Sequence, residues 1–540
     1  MAGSGRERPT WLEPLQEALA EALPRLYGLA PDPEVGRQAA TLLEALERGQ
    51  LALPLTEAEA AALAASPLLQ AADGPFVLEA GQLGWRRWHS LRQQVVAALL
   101  DRARPLPTSA AADPDRSAAP SPAPPVAAGQ ERLDSRQRQA VAAVLQHRLV
   151  LLQGGPGTGK TSTVAAMLAA VIERQPATRL QLAAPTGKAA ARLRAATGAR
   201  HPCGTLHRLL ESRGDRFARN RRHPLALDLL VVDEVSMVDL ELMAALLEAL
   251  PASATLVLVG DPAQLPPIAP GAVLLDLQHP ALRQALGPAA ITLATTYRNA
   301  GAIASVATTL RAGLEDGWGD QDPLAALLPH LEALTPADNL RWRRDPLGPV
   351  PVEVRRRLEE QLAALAAVAA GCRPGRSQAW RELLALRERL LVLSPLRGGP
   401  WGIDTLHRRL LGEVAAFPAL WPEGLPVLCS RNLPDLGLAN GDVGVLVGQP
   451  GAADRQVLFD GEEPLWIHPA QLSGAAEPAL ALTVHKAQGS EATELIVLMA
   501  EPKPDPRLLY TALTRARERA LLVLPTWPGE SCEPPLTRPD

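Results

Sequence analysis

The chain is poor in several residue types that would tie it to common protein classes. It has four cysteines in 540 residues, Cys203, Cys372, Cys429 and Cys532. None forms a C-x-x-C pair, so the spacing suggests neither a zinc site nor a disulfide framework. Reduced thiols in a cytosolic protein are the expectation. Aromatic residues make up 3%, which leaves little for base stacking in any nucleic-acid groove. No apolar run reaches the roughly 18–20 residues of a membrane span. The opening MAGSGRERPTW carries no apolar signal core. No membrane association is therefore expected. Excess positive charge is also lacking. A net charge of −4 excludes a uniformly basic coat but permits local positive charge in a groove.

Hydrophobic residues make up 47% of the chain, enough for several packed domains. Residues 11 to about 101 read as mostly helical, with apolar positions at helical spacing in WLEPLQEALAEALPRLYGLA and EVGRQAATLLEALERGQ. Residues 1–102 are taken as a helical N-terminal domain, a surface for partner contact. Residues 103–130 are rich in Pro, Ala and Ser and read as a linker. Beyond them, short apolar runs (RLVLLQ, RLQLAAP, LDLLVVDE, ATLVLVGD) alternate with helices. That pattern predicts a parallel sheet covered on both faces, an α/β domain over 131–299. A second α/β set, 300–417 and 479–540, carries LLVLSP, ELIVLM and ALLVLP. Between its halves, 418–478 shows short strands split by Gly, Asn, Asp and Pro, the pattern of a small inserted β-barrel. Residues 310–390 contain helical stretches and say little else.

The strongest local signal follows the strand LVLLQ. Gly154, Gly155, Pro156, Gly157, Thr158, Gly159, Lys160 and Thr161 fit G-x-x-x-x-G-K-[ST]. Glycines let such a loop curl its backbone N–H groups toward phosphate oxygens, and the following helix aims its positive end at the same point. Lys160 supplies charge for the β and γ phosphates, and Thr161 offers a hydroxyl to Mg²⁺. In LDLLVVDEVSMVD, Asp233 sits at a strand end, placed to hold Mg²⁺, with Glu234 as the candidate base for an attacking water. In GDPAQLPPI, Gln264 is a candidate sensor of the γ-phosphate. Arg298 and Arg515 are the two candidate arginine fingers.

Taken in order, these segments resemble the motifs of superfamily 1 helicases. LDSRQRQAV resembles the motif whose glutamine, here Gln137, reads adenine. The phosphate loop, APTGKAAARL, VVDE, GDPAQLPPI, TTYRN, LTVHKAQGSE and YTALTRAR follow in the family's sequence over 133–525. The resemblance implies ATP between two RecA-like domains. Lys160, Thr161, Asp233, Glu234 and Gln264 would lie on one side. Arg298, Arg515 and Glu491 would complete the site, with Glu491 on the ribose. It also implies DNA contacts by Pro185, Thr186, Lys188, Thr205, His207, Thr483, His485 and Lys486. Such hydroxyls, amides and cations suit phosphate contact without sequence readout.

Within the superfamily, GGPGTGKT, DEVSMVD, GDPAQLPPI and PVLCSRNLPDLGLANGDVGVLVG resemble the RecD branch. The last element opens that branch's SH3-like barrel. The branch implies 5′–3′ movement on single-stranded DNA from duplex ends, RecB-like and RecC-like partner subunits, and a bacterial cytoplasmic location. TLLEALERGQLALPL and GPFVLEAGQLGWRRWHSLRQQV resemble the N-terminal region of the exodeoxyribonuclease V subunit, although Gly84, Trp85 and Gln93 or Gln94 depart from its pattern. His407 stands where Asn is more usual and receives no role. The alternatives are a free-standing RecD-like helicase and a regulatory subunit with a vestigial ATPase. No nuclease constellation is apparent, so any cutting would come from a partner chain.

Overall fold

The computed structural model describes residues 12–64, 66–106, 133–198, 200–214, 216–295, 301–318, 322–374, 378–461, 463–472, 474–501 and 503–526. Most of the expected linker, like Arg298 and Cys532, lies outside these residues. The N-terminal region is helical at Leu12–Leu26, Pro33–Glu47, Glu57–Ala64 and Arg86–Ala103. It also holds a small antiparallel sheet of β1 (Ala52–Pro54), β2 (Phe76–Glu79) and β3 (Gln82–Trp85), in the order β1-β3-β2. The β2–β3 hairpin turns on two residues in the left-handed region, Ala80 (φ 49°) and Gly81 (φ 74°), the twist that two-residue hairpins favour. Strands of three or four residues carry too little alternation to stand out in a helical background.

The first α/β domain is built on a six-stranded parallel sheet. Its strands are β4 (Leu149–Gly154), β5 (Leu180–Ala184), β6 (Cys203–Thr205), β9 (Leu229–Val232), β10 (Thr255–Gly260) and β11 (Ala290–Leu293), ordered β11-β4-β10-β9-β5-β6. A minimal hairpin, β7 (Ser212–Arg213) and β8 (Arg216–Phe217), projects between β6 and β9. Leu149, Leu151, Leu230, Val232, Leu256 and Leu258 pack on one face, and Val150, Leu152, Leu229, Val231, Val257 and Val259 on the other. Side chains alternate across a strand, so burial on both faces demands unbroken apolar runs, and the sequence has them.

Helix Arg86–Ala103 packs Val95, Leu99 and Ala103 into the first of these cores. Buried Arg102 fastens it by donating to the carbonyls of Ala254 (2.8 Å), Leu250 (2.9 Å) and Pro251 (3.0 Å). The helix before the linker is thus part of the first domain's packing.

The second domain has a five-stranded parallel sheet of β12 (Leu340–Pro346), β13 (Leu390–Ser394), β19 (Leu482–Thr483), β20 (Ala492–Leu498) and β21 (Ala516–Thr526), ordered β12-β21-β20-β13-β19. Between β13 and β19 the chain makes a five-stranded antiparallel sheet. Its strands are β14 (Pro426–Cys429), β15 (Val443–Val447), β16 (Gln456–Phe459), β17 (Leu465–Ile467) and β18 (Ala476–Pro478), ordered β17-β16-β15-β14-β18. Helices Val352–Ala369 and Ala379–Arg387 support it, packing Leu365, Ala369, Leu383 and Leu384 against Val445, Val447 and Leu458. This gives part of the uninformative stretch 310–390 a structural purpose.

Candidate nucleotide and nucleic-acid sites

Three adjacent strands of the first sheet, β4, β10 and β9, end in the phosphate loop, in Gly260-Asp261 and in Asp233-Glu234. Ligands of parallel α/β sheets bind at these carboxyl ends. The loop leaves β4 at Gly154 and enters helix Lys160–Arg174 through Gly159, whose φ of 81° suits a residue without Cβ. Thr158 Oγ1 donates to the Gly155 carbonyl (2.8 Å). The Lys160 ammonium donates to the carbonyls of Gly154 (2.7 Å) and Gly155 (3.0 Å), so it lies across the mouth of the loop.

Asp233 accepts a hydrogen bond from the backbone N–H of Glu234 (2.8 Å). Burial, reinforced by the neighbouring Glu234 charge, pushes the Asp233 carboxyl up to about 6 against the pull of Lys160. Glu234 itself sits at φ 53°, a left-handed conformation that costs a non-glycine residue about 1 kcal/mol or more. Such strain is commonly retained where a side chain must be aimed. Gln264 is buried, and its Oε1 has no hydrogen-bond partner among the described residues.

The loop after β10 is held by the second domain. Ala263 and Leu265 are buried in the same core as Leu509, Leu513 and Val484. The Leu265 N–H donates to Thr511 Oγ1 (2.8 Å), and Gln488 Nε2 donates to the Leu265 carbonyl (3.1 Å). Arg507 donates to the Pro262 carbonyl. Tyr510, on helix Pro506–Leu513, donates its hydroxyl to Asp261 Oδ2 (2.7 Å), with both side chains buried. The two α/β domains therefore meet beside the phosphate loop.

The structure adds an arginine that the sequence did not single out. Arg311, on helix Ala302–Asp316, lies beside Gly155. A Cβ there would come within 3.0 Å of Arg311 Nη1 and 3.1 Å of the Tyr510 hydroxyl. The absence of a side chain at Gly155 leaves room for this close approach. A lone arginine in an amphipathic helix gives no sequence signal; only the tertiary approach reveals it. Arg515 is placed differently. It is 3% exposed and donates to Thr511 O (3.0 Å), Ser490 O (3.5 Å) and Thr514 Oγ1 (3.5 Å). Gln137 closes a capping box with Asp134, its Oε1 accepting from the Asp134 N–H (3.0 Å).

Glu491 lies where the second domain meets helix Gly187–Ala196 of the first. It pairs with Arg192 of helix Gly187–Ala196 and with Arg517 (3.2 Å). Burial raises its carboxyl, but Arg192, then Arg515 and Arg517, more than offset this and hold it below the ordinary range. A cleft of about 1530 Å³ runs here between the first domain, the second domain and the insert. Pro185, Lys188, Thr205, His207 and Glu491 line it, with Arg194, Arg208, Arg387 and Asp442. Lys188 Nζ donates to Ser490 Oγ (2.9 Å), and burial, then Arg387, depresses it to about 7.

Thr186, Thr483, His485 and Lys486 are not among the cleft's lining residues, although Lys486 reaches the insert by donating to Asn440 (2.8 Å). Thr186 and Thr205 cap helices through their hydroxyls, and Thr483 accepts from the Lys486 N–H (3.3 Å). His207 and His485 are both lowered by burial, against the nearby charges of Asp239 and Asp505 respectively. His407 is buried and accepts from the Ala481 N–H (3.2 Å), a structural role.

Two family profiles match: an AAA domain over residues 137–270 and a UvrD-like helicase C-terminal domain over 478–523. The RecBCD enzyme subunit RecD of Mycolicibacterium smegmatis is 35% identical, over 95% of this chain and 93% of its own length. The chain belongs to the RecD helicase family. It is accordingly an ATP-dependent DNA helicase. The RecD subunit of Mycobacterium tuberculosis is 36% identical over 72% of the chain and 68% of the relative. The ATP-dependent RecD2 DNA helicase of Deinococcus radiodurans is 33% identical over 83% of the chain and 56% of the relative. Among solved structures, Bacteroides Pif1 bound to single-stranded DNA aligns with a TM-score of 0.40 at 18% identity, covering 72% of this chain and 92% of that one. No helix among the described residues is long and apolar enough to cross a membrane.

Proposed function

We propose that this RecD-family chain is the 5′–3′ motor subunit of a RecBCD-type helicase–nuclease acting at duplex DNA ends in the bacterial cytoplasm. One observation carries the choice of subunit over free-standing enzyme. Identity to a RecD subunit spans 93% of that relative, N-terminal region included, whereas the RecD2 helicase is matched over 56% of its length.

In this reading the loop from Gly154 to Gly159 wraps the phosphates of ATP and Lys160 neutralises them. Gln137 offers its amide nitrogen to adenine. A half-buried carboxyl at Asp233 and the Thr161 hydroxyl suit Mg²⁺, which would neutralise phosphate charge when bound. Glu234 takes the proton of the attacking water, and the unpartnered Oε1 of Gln264 orients that water. Arg298 and Arg515 are assigned to the transferring phosphoryl group, and Glu491 to the ribose. Pro185, Thr186, Lys188, Thr205, His207, Thr483, His485 and Lys486 form the single-stranded DNA track. ATP-driven changes in the spacing of the two domains would move it.

The test is affinity purification of the tagged chain from its own organism. Stoichiometric recovery of RecB-like and RecC-like chains, with 5′–3′ unwinding in the purified assembly, is expected. A monodisperse lone helicase with full activity would sink the subunit reading.

A further inference from the structure

Arg311 and Arg515 make opposite use of their guanidinium groups. Arg515 spends its donors on three oxygen atoms of its own domain and is almost wholly buried. Arg311 spends one. Among the described residues its Nε donates to the exposed Glu315 (2.9 Å), and Nη1 stands 3.9 Å from Asp261 Oδ1, beyond hydrogen-bond range. Asp261 has little need of it. Oδ2 already accepts from Tyr510 (2.7 Å) and Oδ1 from the Ala263 N–H (3.1 Å). The Nη1 edge of Arg311 therefore faces the phosphate loop at Gly155 with donors to spare.

We infer that Arg311 contacts the γ-phosphate of bound nucleotide, leaving the vicinity of Asp261 as it does so, and adds a second-domain positive charge to the hydrolytic site. This rests on the nucleotide-site reading above. It gives helix Ala302–Asp316 a direct part in sensing ATP: the helix belongs to the second domain's core through Ile303, Val306 and Leu310, while its arginine reaches the first domain's loop. A guanidinium suits this task, because it remains charged when buried and presents several donors in a fixed plane. When Arg311 turns away, Asp261 keeps its two shorter hydrogen bonds and the nearby charge of Arg507.

The test compares the full-length parent chain with Arg311→Gln and Arg311→Lys. The readouts are kcat and KM for ATP with single-stranded DNA, and affinity for ADP against ADP–aluminium fluoride. Arg311→Gln is expected to lower kcat about 10²-fold, the usual loss for one transition-state donor. KM and ADP affinity should stay within about threefold, while ADP–aluminium fluoride binding falls sharply. Arg311→Lys should recover part of the loss.

The inference is overturned if Arg311→Gln keeps kcat within about threefold of the parent, or if it weakens ADP and ADP–aluminium fluoride equally. If Arg311→Gln does not fold, folded Arg311→Lys decides. Selective loss of ADP–aluminium fluoride supports the contact, and unchanged binding of both ligands refutes it. Lys160→Ala, assayed in parallel, separates the two levels. If it retains hydrolysis, the nucleotide-site reading itself fails.

Discussion

Replacing Tyr510 by Phe removes one oxygen atom from the junction between the two α/β domains and leaves the ring in place. The hydroxyl lost donates to Asp261 at 2.7 Å, and the two side chains are 1% and 0% exposed. Water does not reach the site readily, and the nearest spare donor, Arg311 Nη1, stands 3.9 Å from the other carboxylate oxygen, so the freed Oδ2 of Asp261 is left without its hydrogen bond. A buried hydrogen bond to an acidic group contributes about 1.5–3 kcal/mol net. The ring's apolar burial is unchanged, so the expected loss is about 2 kcal/mol. For a cooperative unit of about 200 residues this lowers the melting midpoint by about 4–8 °C. Differential scanning calorimetry of both proteins at one concentration and pH measures it. A shift below about 1 °C would refute the argument, because it would mean that Asp261 and Tyr510 do not bond across the junction in solution.

Leu265→Ala, at the same junction, should destabilise by about 2–5 kcal/mol in urea melts and loosen the coupling between the domains. A cost under about 1 kcal/mol would show that Leu265 is not buried in the second domain's core. Arg102→Ala leaves three backbone carbonyls without their donor and should cost about 2–4 kcal/mol. An unchanged urea midpoint would contradict the docking of helix Arg86–Ala103. Burial holds His407 down to about 4, so the folded state keeps it neutral while the unfolded chain takes up a proton near pH 6.5. Stability from this group is present above pH 6.5 and is lost as pH falls toward 4. His407→Asn keeps an acceptor for Ala481 and should show a shallower acid decline; an identical pH profile would rule the assignment out. Lys188 loses its charge above about pH 7, so affinity for single-stranded DNA should fall more steeply from pH 6 to 8.5 in the parent than in Lys188→Met. Parallel titration curves would remove Lys188 from the DNA track.

The parts of the molecule legible in the sequence are those whose signal is local. The phosphate loop declares itself by strand, glycines and helix in succession. The apolar runs ending at Gly154, Val232 and Gly260 announce a sheet buried on both faces. The insert was readable because Gly, Asn and Asp punctuate its strands. The β1–β3 sheet escaped because its strands have three or four residues and its turn uses Ala80 in place of Asn or Asp. The junctions were illegible for a different reason. Tyr510 with Asp261, Arg192 with Glu491 and Arg311 with Gly155 are partners separated by more than 150 residues, and only the packed domains bring them together. His407 gave no motif signal, and its buried acceptor role follows from the fold alone.

ATP hydrolysis with and without single-stranded DNA, in the parent and in Lys160→Ala, tests the central claim most directly. Hydrolysis should rise strongly with DNA in the parent and be lost in the variant, while DNA binding persists in both. Hydrolysis indifferent to DNA, or retained without the Lys160 ammonium, would contradict the account of a DNA motor powered from this loop.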